Sequence, residues 1–197
     1  MKSSNSTPSR PRTKTPPDTP PARTKRTAAA KKAAGHVEAA PTSRMRNRKA
    51  TTRSSPIHGR GVVARVPLAE GERICEYFGE RIDWPEALRR HPHDPEQPFH
   101  TFYFSLDDDT VIDGNVGGDF SRFMNHSCEP NCEAEMVEIN GVTRIYILAL
   151  RDIERGEELV YNYGLSLDER YTPTLKKQFA CHCGSSHCRG TMLSPKR

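Results

Sequence analysis

The stretch RFMNHSCEPNC, residues 122–132, decides the fold of this 197-residue chain. It places Asn125, His126 and Cys128 directly after the semi-apolar residues RFM. A lone histidine in such a place is ordinarily a hydrogen-bonded core residue. Here the polar residues around it favour a binding segment over that interpretation.

Four more segments flank this stretch. SPIHGRGVVA (55–64) and EYFGE (76–80) precede it, and EELVYNYG (157–164) and CHCGSSHCRG (181–190) follow it. In this order and spacing the segments resemble the SET-domain protein-lysine methyltransferases that carry a post-SET zinc motif. The resemblance covers roughly residues 53–193 and leaves out the N-terminal tail. The compactness of the chain resembles the stand-alone SET proteins of bacteria.

The resemblance implies a mainly β fold, built from several small curved β-sheets with short helices and a C-terminal pseudoknot. The residue pattern agrees, because short β-branched and aromatic runs alternate with Gly, Asp, Asn and Pro. Asn140-Gly141 predicts a type I′ hairpin. DWPEALRRH predicts a short helix with Asp83 as its N-cap and Pro85 in its first turn. SLDERYTPTLKKQF predicts a second short helix.

Composition divides the chain into three predicted parts. Residues 1–52 form a disordered Pro/Ala/Lys-rich tail, residues 53–165 form the SET domain with a short insert at 83–100, and residues 166–197 form the post-SET segment. Residues 1–53 hold fourteen Lys or Arg against two acids, a balance of +12, and the rest holds sixteen against twenty-three, a balance of −7. Without aromatic residues the tail cannot bury enough apolar surface to fold.

The resemblance places a cofactor site for S-adenosylmethionine at the HGRG loop and the NHSC segment. Alone, the GxG pattern equally fits a simple β-turn. Phe102 stands where many relatives carry a tyrosine, so one hydrogen bond of the family's pocket is missing. The implied cofactor contacts are His58, Gly59, Arg60, Gly61, Phe102, Arg122, Asn125 and His126.

Three tyrosines are the catalytic candidates. Transfer of a methyl group to an amine is an in-line displacement, which needs alignment, exclusion of water and an uncharged lysine. By resemblance Tyr163 is the catalytic tyrosine, Tyr161 limits the product to mono- or dimethyl-lysine, and Tyr77 lines the lysine channel. Asn162 stands where many relatives carry Asp. Taken alone, the three tyrosines also fit ordinary strand aromatics.

CHCGSSHC supplies three cysteines, one fewer than a tetrahedral structural zinc site needs. Locally, His182 or His187 would complete the set. The resemblance instead implies the cysteine of NHSC, which gives Cys128, Cys181, Cys183 and Cys188 as zinc ligands. Cys132 remains a rival ligand. Cys75 lies in an apolar strand and reads as a small buried hydrophobe.

The expected substrate is a basic protein, such as a histone or a nucleoid protein. The acidic segments 107–110 and 129–138 would steer such a partner, although they also fit a solvated face. The tail is either a DNA contact through phosphate charge or a solubilising linker. It also offers lysines for automethylation, namely Lys25, Lys31 and Lys32.

Localisation follows from the bacterial resemblance, which favours cytoplasm and nucleoid, with nucleus or chromatin as the alternative. The chain has no long apolar run and no signal peptide, so a membrane role is not expected.

Two other functional interpretations stay open. One is a catalytically decayed SET scaffold held on DNA by the tail, and the other is a plain zinc-binding nucleic-acid protein. Binding of S-adenosylmethionine would distinguish the plain zinc-binding nucleic-acid protein from the other interpretations.

Overall fold

A computed structural model of the chain describes residues 47–91, 101–106 and 109–196. Most of the predicted tail and residues 92–100 of the predicted insert lie outside these ranges. The described residues are mainly β, as predicted. The strands are β1 (Ala50–Ser54), β2 (Arg60–Ala64), β3 (Arg73–Glu76), β4 (Glu80–Asp83), β5 (Tyr103–Ser105), β6 (Thr110–Asp113), β7 (Asn125–His126), β8 (Cys132–Ile139), β9 (Val142–Ala149) and β10 (Glu158–Tyr161).

The larger sheet has the strand order β1-β2-β10-β8-β9-β3, with β7 also paired to β10. Its longest unit is the antiparallel hairpin of β8 and β9, which pairs from Cys132–Ala149 to Ile139–Val142. The turn residues Asn140 and Gly141 have φ values of 53° and 74°. Two consecutive positive φ angles define the type I′ turn, so the predicted hairpin is confirmed.

The two edges of this sheet come together at the start of β1. The side-chain amide of Asn47 donates to the carbonyl of Ile74 in β3 at 3.0 Å. Beside it, Lys49 forms an ion pair with Glu72 at 2.8 Å. The strands therefore curve around a core whose centre includes the fully buried residues Val62, Ile145, Ile147 and Leu159.

The smaller sheet has the order β4-β6-β5 and carries helix α1 (Trp84–Arg90). The Asp83 side chain accepts from the backbone N–H of Glu86 at 2.9 Å, and Pro85 lies in the first turn, so the predicted cap is confirmed. Arg90 reaches from the end of the helix to Asp113 at 3.0 Å. This ion pair fixes the helix against β6, where the Asp113 carboxylate is fully buried.

The second predicted helix is shorter than its sequence pattern suggested. Helix α2 spans Pro173–Gln178, and the Thr172 side chain caps it through the N–H of Leu175 at 3.1 Å. Proline lacks an amide hydrogen and fits only the first turn, so the helix begins there. Around it lies a small separate core, made of Leu165, Leu167, Leu175, Phe179 and Leu193.

The C-terminal pseudoknot is formed where β10 passes between β2 and the segment after the 3-10 helix Phe120–Phe123. Strands β7 and β8 both run parallel to β10. The Asn131 side chain, 2% exposed, accepts from the N–H of Val160 at 2.9 Å and donates to the carbonyl of Glu158 at 2.8 Å. These bonds fasten the crossing, and the predicted fold class is confirmed.

Two observations complete the fold. Strand β1 begins at Ala50 and so crosses the boundary at residue 53 that the composition suggested. Within the ranges that the structure describes, no helix combines the length and the apolar character that crossing a bilayer requires.

Candidate active site

The pseudoknot brings Tyr163 against the NHSC segment. The Tyr163 hydroxyl donates to the carbonyl of Met124 at 2.7 Å, and its backbone N–H donates to Nδ1 of His126 at 3.1 Å. The His126 ring also lies edge-on to the phenol ring, with centroids 5.3 Å apart. Two hydrogen bonds and a ring contact therefore fix the orientation of the phenol.

The remaining predicted catalytic side chains line the same aromatic cluster. Tyr161 is buried, and its ring centroid lies 5.0 Å from that of Tyr163. Tyr77 is also buried and donates its hydroxyl hydrogen to the carbonyl of Phe102 at 2.7 Å. Its ring packs on Phe104 at 5.3 Å. The three tyrosines thus belong to one apolar region.

Phe104 is a member of this cluster that the sequence interpretation did not single out. It is 1% exposed and lies on β5 two residues after Phe102. Alternate residues of a strand lie on the same face, so the strand-like segment HTFYFSL could have indicated that Phe104 lies on the same face as Phe102. Tyr103, between the two, joins Ala87 and Trp84 on the opposite face.

Asn125 holds the HGRG loop in place. Its side-chain amide nitrogen lies 3.3 Å from the carbonyl of His58 and 3.0 Å from that of Arg60. It also lies 2.9 Å from Oε1 of Glu158 and 3.1 Å from the hydroxyl of Ser55. An amide has two hydrogens, so the four oxygens share them. The Asn125 side chain is therefore engaged by the protein's own loop.

Glu158 and Ser55 form an anchor that the sequence interpretation missed. The Ser55 hydroxyl lies 2.8 Å and 2.9 Å from the two carboxylate oxygens of Glu158. A Cβ atom on Gly61 would collide with this carboxylate and would lie 2.9 Å from Cβ of Ser55. Gly61 is therefore required for the close approach of the carboxylate. Gly59 is required for another reason, its φ of +43°.

Two arginines give this end of the site a positive charge. The guanidinium carbons of Arg60 and Arg122 lie 4.3 Å and 4.6 Å from the ring centroid of Phe123. Arg122 donates to the carbonyl of Gly114 at 3.0 Å, whereas its buried Nε has no hydrogen-bond partner among the described residues. Leaving a buried donor unpaired costs about 1–3 kcal/mol, so the position suits an anionic ligand group.

Cys128, Cys181, Cys183 and Cys188 converge at the end of the pseudoknot. Their Sγ atoms all lie within 4.8 Å of one another, and those of Cys128 and Cys181 are 3.8 Å apart. A tetrahedral zinc ion with bonds of about 2.3 Å separates its sulfur ligands by about 3.8 Å. The four predicted ligands therefore fit a structural zinc ion.

Among the described residues, none of the three rival ligands, His182, His187 and Cys132, belongs to the group of converging metal-binding side chains. Cys132 is fully buried in β8 and lies outside the group of converging thiols. His187 contacts the carboxylate of Glu129 through Nδ1. Glu129 also accepts from the hydroxyl of Ser185, so it links the NHSC loop to the cysteine segment.

The thiols differ in their ease of ionisation. Burial raises the pKa of Cys128 and of Cys181. At Cys183 burial also opposes ionisation, but hydrogen bonds from the backbone of Cys128 and Ser185, together with those from the thiols of Cys181 and Cys188, outweigh it and lower the pKa to about 6. Metal ligation requires thiolates, so metal binding must displace the protons of Cys128 and Cys181, whose pKa values are raised. Burial raises the pKa of Cys132 to about 12, as befits an inert thiol.

Comparison with known proteins agrees with this geometry. Residues 59–164 match the SET domain family. The chain is 38% identical over 135 residues to the histone-lysine N-methyltransferase trithorax of Drosophila virilis. It is 39% and 40% identical over 146 residues to the H3 lysine-4-specific histone-lysine N-methyltransferases of Eremothecium gossypii and Candida albicans. These matches cover 68–74% of this chain but only 3–15% of the relatives.

A solved structure is also similar. It is ctPRC2 in an autoinhibited conformation bound to S-adenosylmethionine, with a TM-score of 0.56 and 31% sequence identity. The similarity covers 60% of this chain and 15% of that one. The relatives named above come from a fly and two fungi, so the comparisons do not support the bacterial origin expected from compactness.

Proposed function

Since this chain belongs to the SET-domain family, we propose that it is a protein-lysine N-methyltransferase that uses S-adenosylmethionine and acts on a histone tail. The observation that carries this proposal is the fixed Tyr163, whose hydroxyl and backbone are held by Met124 and His126 next to the anchored HGRG loop. The names of the similar proteins support the same reaction and cofactor.

The residues of the site suit this cofactor. The cofactor supplies an activated methyl group on a positively charged sulfur, together with a carboxylate and an adenosine. Arg122 offers the buried Nε that suits an anionic group, with Phe102 and Phe123 beside it. Asn125 contributes by holding the loop of His58, Gly59, Arg60 and Gly61, and the backbone and rings of these elements would enclose the ligand.

The aromatic cluster would prepare the lysine. An amine can accept a methyl group only in its neutral form, and an apolar channel lowers the pKa of a lysine by desolvation. Tyr77, Tyr161 and Phe104 are buried apolar walls that exclude water. The Tyr163 hydroxyl donates its hydrogen to Met124, so towards the amine its oxygen would act as a hydrogen-bond acceptor. The bulk of Tyr161 favours mono- or dimethylation.

The cysteine cluster would hold zinc in a structural role. No protein ligand is missing, so the ion would not carry chemistry. It would join Cys128, next to the catalytic segment, to the C-terminal residues 181–188. Because the adjacent apolar core has five buried residues within the part of the chain that the structure describes, metal binding would supply much of the folding energy of this segment.

The substrate and location follow the relatives and the charge. The chain from residue 54 onward carries a net charge of −7, which attracts a basic tail. The relatives named for histone H3 support a histone substrate, and with it nuclear or chromatin localisation. Residues 1–52 would add a DNA contact through their basic side chains.

The test is transfer of label from S-adenosylmethionine to histones, with Tyr163→Phe and Tyr146→Phe compared with the native chain. Tyr146 is the matched control, because its buried hydroxyl has no hydrogen-bond partner among the described residues. We expect Tyr163→Phe to lose about 100-fold or more in rate and Tyr146→Phe to stay near native.

Three outcomes would count against the proposal. Equal rates for Tyr163→Phe and the native chain would remove Tyr163 from the catalytic role. If calorimetry detected cofactor binding without transfer to any histone, a substrate other than histones would be required. Absence of both binding and transfer would favour the decayed scaffold on DNA.

A further inference from the structure

The first hairpin of the domain, residues 47–69 with strands β1 and β2, is basic on an otherwise acidic body. It holds five Lys or Arg and no acidic residue, whereas residues 70–197 hold fourteen against twenty-three, a balance of −9. The hairpin forms one edge of the larger sheet. An anionic partner is therefore attracted to this edge and repelled by the rest of the domain.

The strand register places two of the arginines on the outer face of the hairpin. Ala50 and Ala64 pair with each other, and both are buried in the core. Successive residues of a strand point to opposite faces, so Arg53 and Arg65 point away from the core. The N–H of Arg65 donates to the carbonyl of Lys49 at 2.7 Å and extends the ladder to that end. The backbone of the sheet therefore fixes where both arginines emerge.

The positive charges of this face are available to a ligand. Arg48, Arg53 and Arg65 are exposed, and none of them forms an ion pair within the ranges that the structure describes. Lys49 differs, since its Nζ binds the carboxylate of Glu72 at 2.8 Å. The three arginines have no such internal partner to give up when they bind an anion.

The acidic residues beside β2 are directed to other groups. Glu157 precedes β10 and pairs with Arg151. Glu158 accepts from Ser55 at 2.8 Å and from Asn125 at 2.9 Å. Among the described residues, neither carboxylate forms an ion pair with an arginine of the hairpin.

The outer face fits the phosphates of a duplex better than the bases of a single strand. Arg53 and the Lys49–Arg65 pair lie four strand residues apart, about 14 Å. Phosphates recur about every 3.4 Å along each strand of a duplex, so these two positions match phosphates roughly four base pairs apart. Thr51 and Val63 lie between them, and β1 and β2 contain no aromatic residue on which an unpaired base could stack.

We propose that the outer face of the β1–β2 hairpin binds double-stranded DNA, with Arg53 and Arg65 contacting its phosphates. This surface extends the DNA contact proposed for residues 1–52 onto the folded domain, and it does not depend on methyl transfer. Residues 1–53, with their balance of +12, lead directly into β1, so the tail and the hairpin can contact one duplex. Phosphate contacts carry no sequence information, so binding is independent of DNA sequence.

The test is fluorescence anisotropy of a labelled DNA duplex with the full chain, at several salt concentrations and without S-adenosylmethionine. Each phosphate contact contributes about 0.9 to the slope of log K against log salt, so Arg53→Gln/Arg65→Gln should reduce that slope by about 1.8. The same variant should bind at least about tenfold more weakly at about 0.1 M salt. The matched control, Lys176→Gln/Lys177→Gln, removes equal charge from exposed residues of α2 and should leave the slope within about 0.3 of native.

Several outcomes would overturn the proposal. An unchanged slope for Arg53→Gln/Arg65→Gln would assign DNA binding to the tail alone, and an equal fall in the control would reduce it to net charge. Tighter binding of single-stranded DNA, duplex RNA or polyglutamate than of duplex DNA would exclude a surface for duplex DNA.

Two further measurements keep these outcomes interpretable. Calorimetry of S-adenosylmethionine checks that the variants fold, and Arg65→Gln alone, which should lower the slope by about 0.9, replaces the double variant if that one does not fold. Transfer of label to a free histone H3 peptide tests the proposed function separately. Its absence in the native chain would overturn the methyltransferase and leave the DNA surface standing.

Discussion

Replacing Glu158 by Gln tests whether a carboxylate holds the HGRG loop. Glu158 Oε1 accepts from the hydroxyl of Ser55 at 2.8 Å and from the amide of Asn125 at 2.9 Å. Glutamine has the same shape and can keep its carbonyl oxygen in that place. The substitution therefore removes the negative charge and leaves the packing intact.

The magnitude follows from those two bonds. A hydrogen bond to a charged group contributes about 1.5–3 kcal/mol, against about 0.5–1.5 kcal/mol for a neutral pair. Two bonds weakened by about 1 kcal/mol each amount to about 2 kcal/mol. If the loop is ordered chiefly by Asn125 and Glu158, that loss weakens S-adenosylmethionine binding roughly 30-fold.

Titration calorimetry of S-adenosylmethionine measures the effect, and thermal unfolding checks the fold. The matched control is Glu154→Gln, which removes an exposed charge four residues before Glu158. A Kd for Glu158→Gln within about twofold of native would refute the reasoning. The carbonyls of His58 and Arg60 would then suffice to position Asn125.

Three further predictions concern stability. Asn131→Ala removes the hydrogen bonds to Val160 and Glu158. It should lower the free energy of unfolding by about 3 kcal/mol in a urea titration. A change below about 1 kcal/mol would contradict the role of Asn131 in the pseudoknot. Gly141→Ala forces alanine to a φ of 74° and should destabilise by about 1 kcal/mol in the same assay, whereas an unchanged midpoint would show that the turn adapts. Removing metal with a chelator should make the segment around Cys181–Cys188 sensitive to protease, and added zinc should restore resistance; equal cleavage with and without chelator would contradict a structural zinc ion.

The features that were predictable from the sequence are mostly local. The Asn140-Gly141 turn and the Asp83 cap depend on neighbouring residues, so their residue types identify them. The length of α2 was less predictable, because the first half of its segment has a helix-compatible composition. Only Pro173, which cannot lie deeper in a helix, determines where it begins.

The features that the residues alone did not reveal depend on contacts distant in sequence. Ser55 and Glu158 are 103 positions apart, and no local pattern in either segment indicates that they meet. Cys128 and Cys181 are 53 positions apart, and local spacing favoured a histidine as the fourth ligand. The family resemblance identified Cys128 as the fourth ligand. The contact between Ser55 and Glu158 can be recognised only in the structure, where β10 pairs with β2.

The segment 122–132 is central because three parts of the site depend on it at once. Asn125 holds the HGRG loop, Met124 and His126 hold Tyr163, and Cys128 belongs to the cluster of four cysteines. His126 also joins the last two, since its Nε2 lies 3.6 Å from Sγ of Cys128. A disturbance at the cysteine cluster would therefore reach both Tyr163 and the HGRG loop, because His126 and Asn125 lie two and three residues before Cys128. A metal ion that orders residues 125–128 would favour cofactor binding, and because coupling between binding sites is reciprocal, the cofactor would then favour metal binding by the same factor.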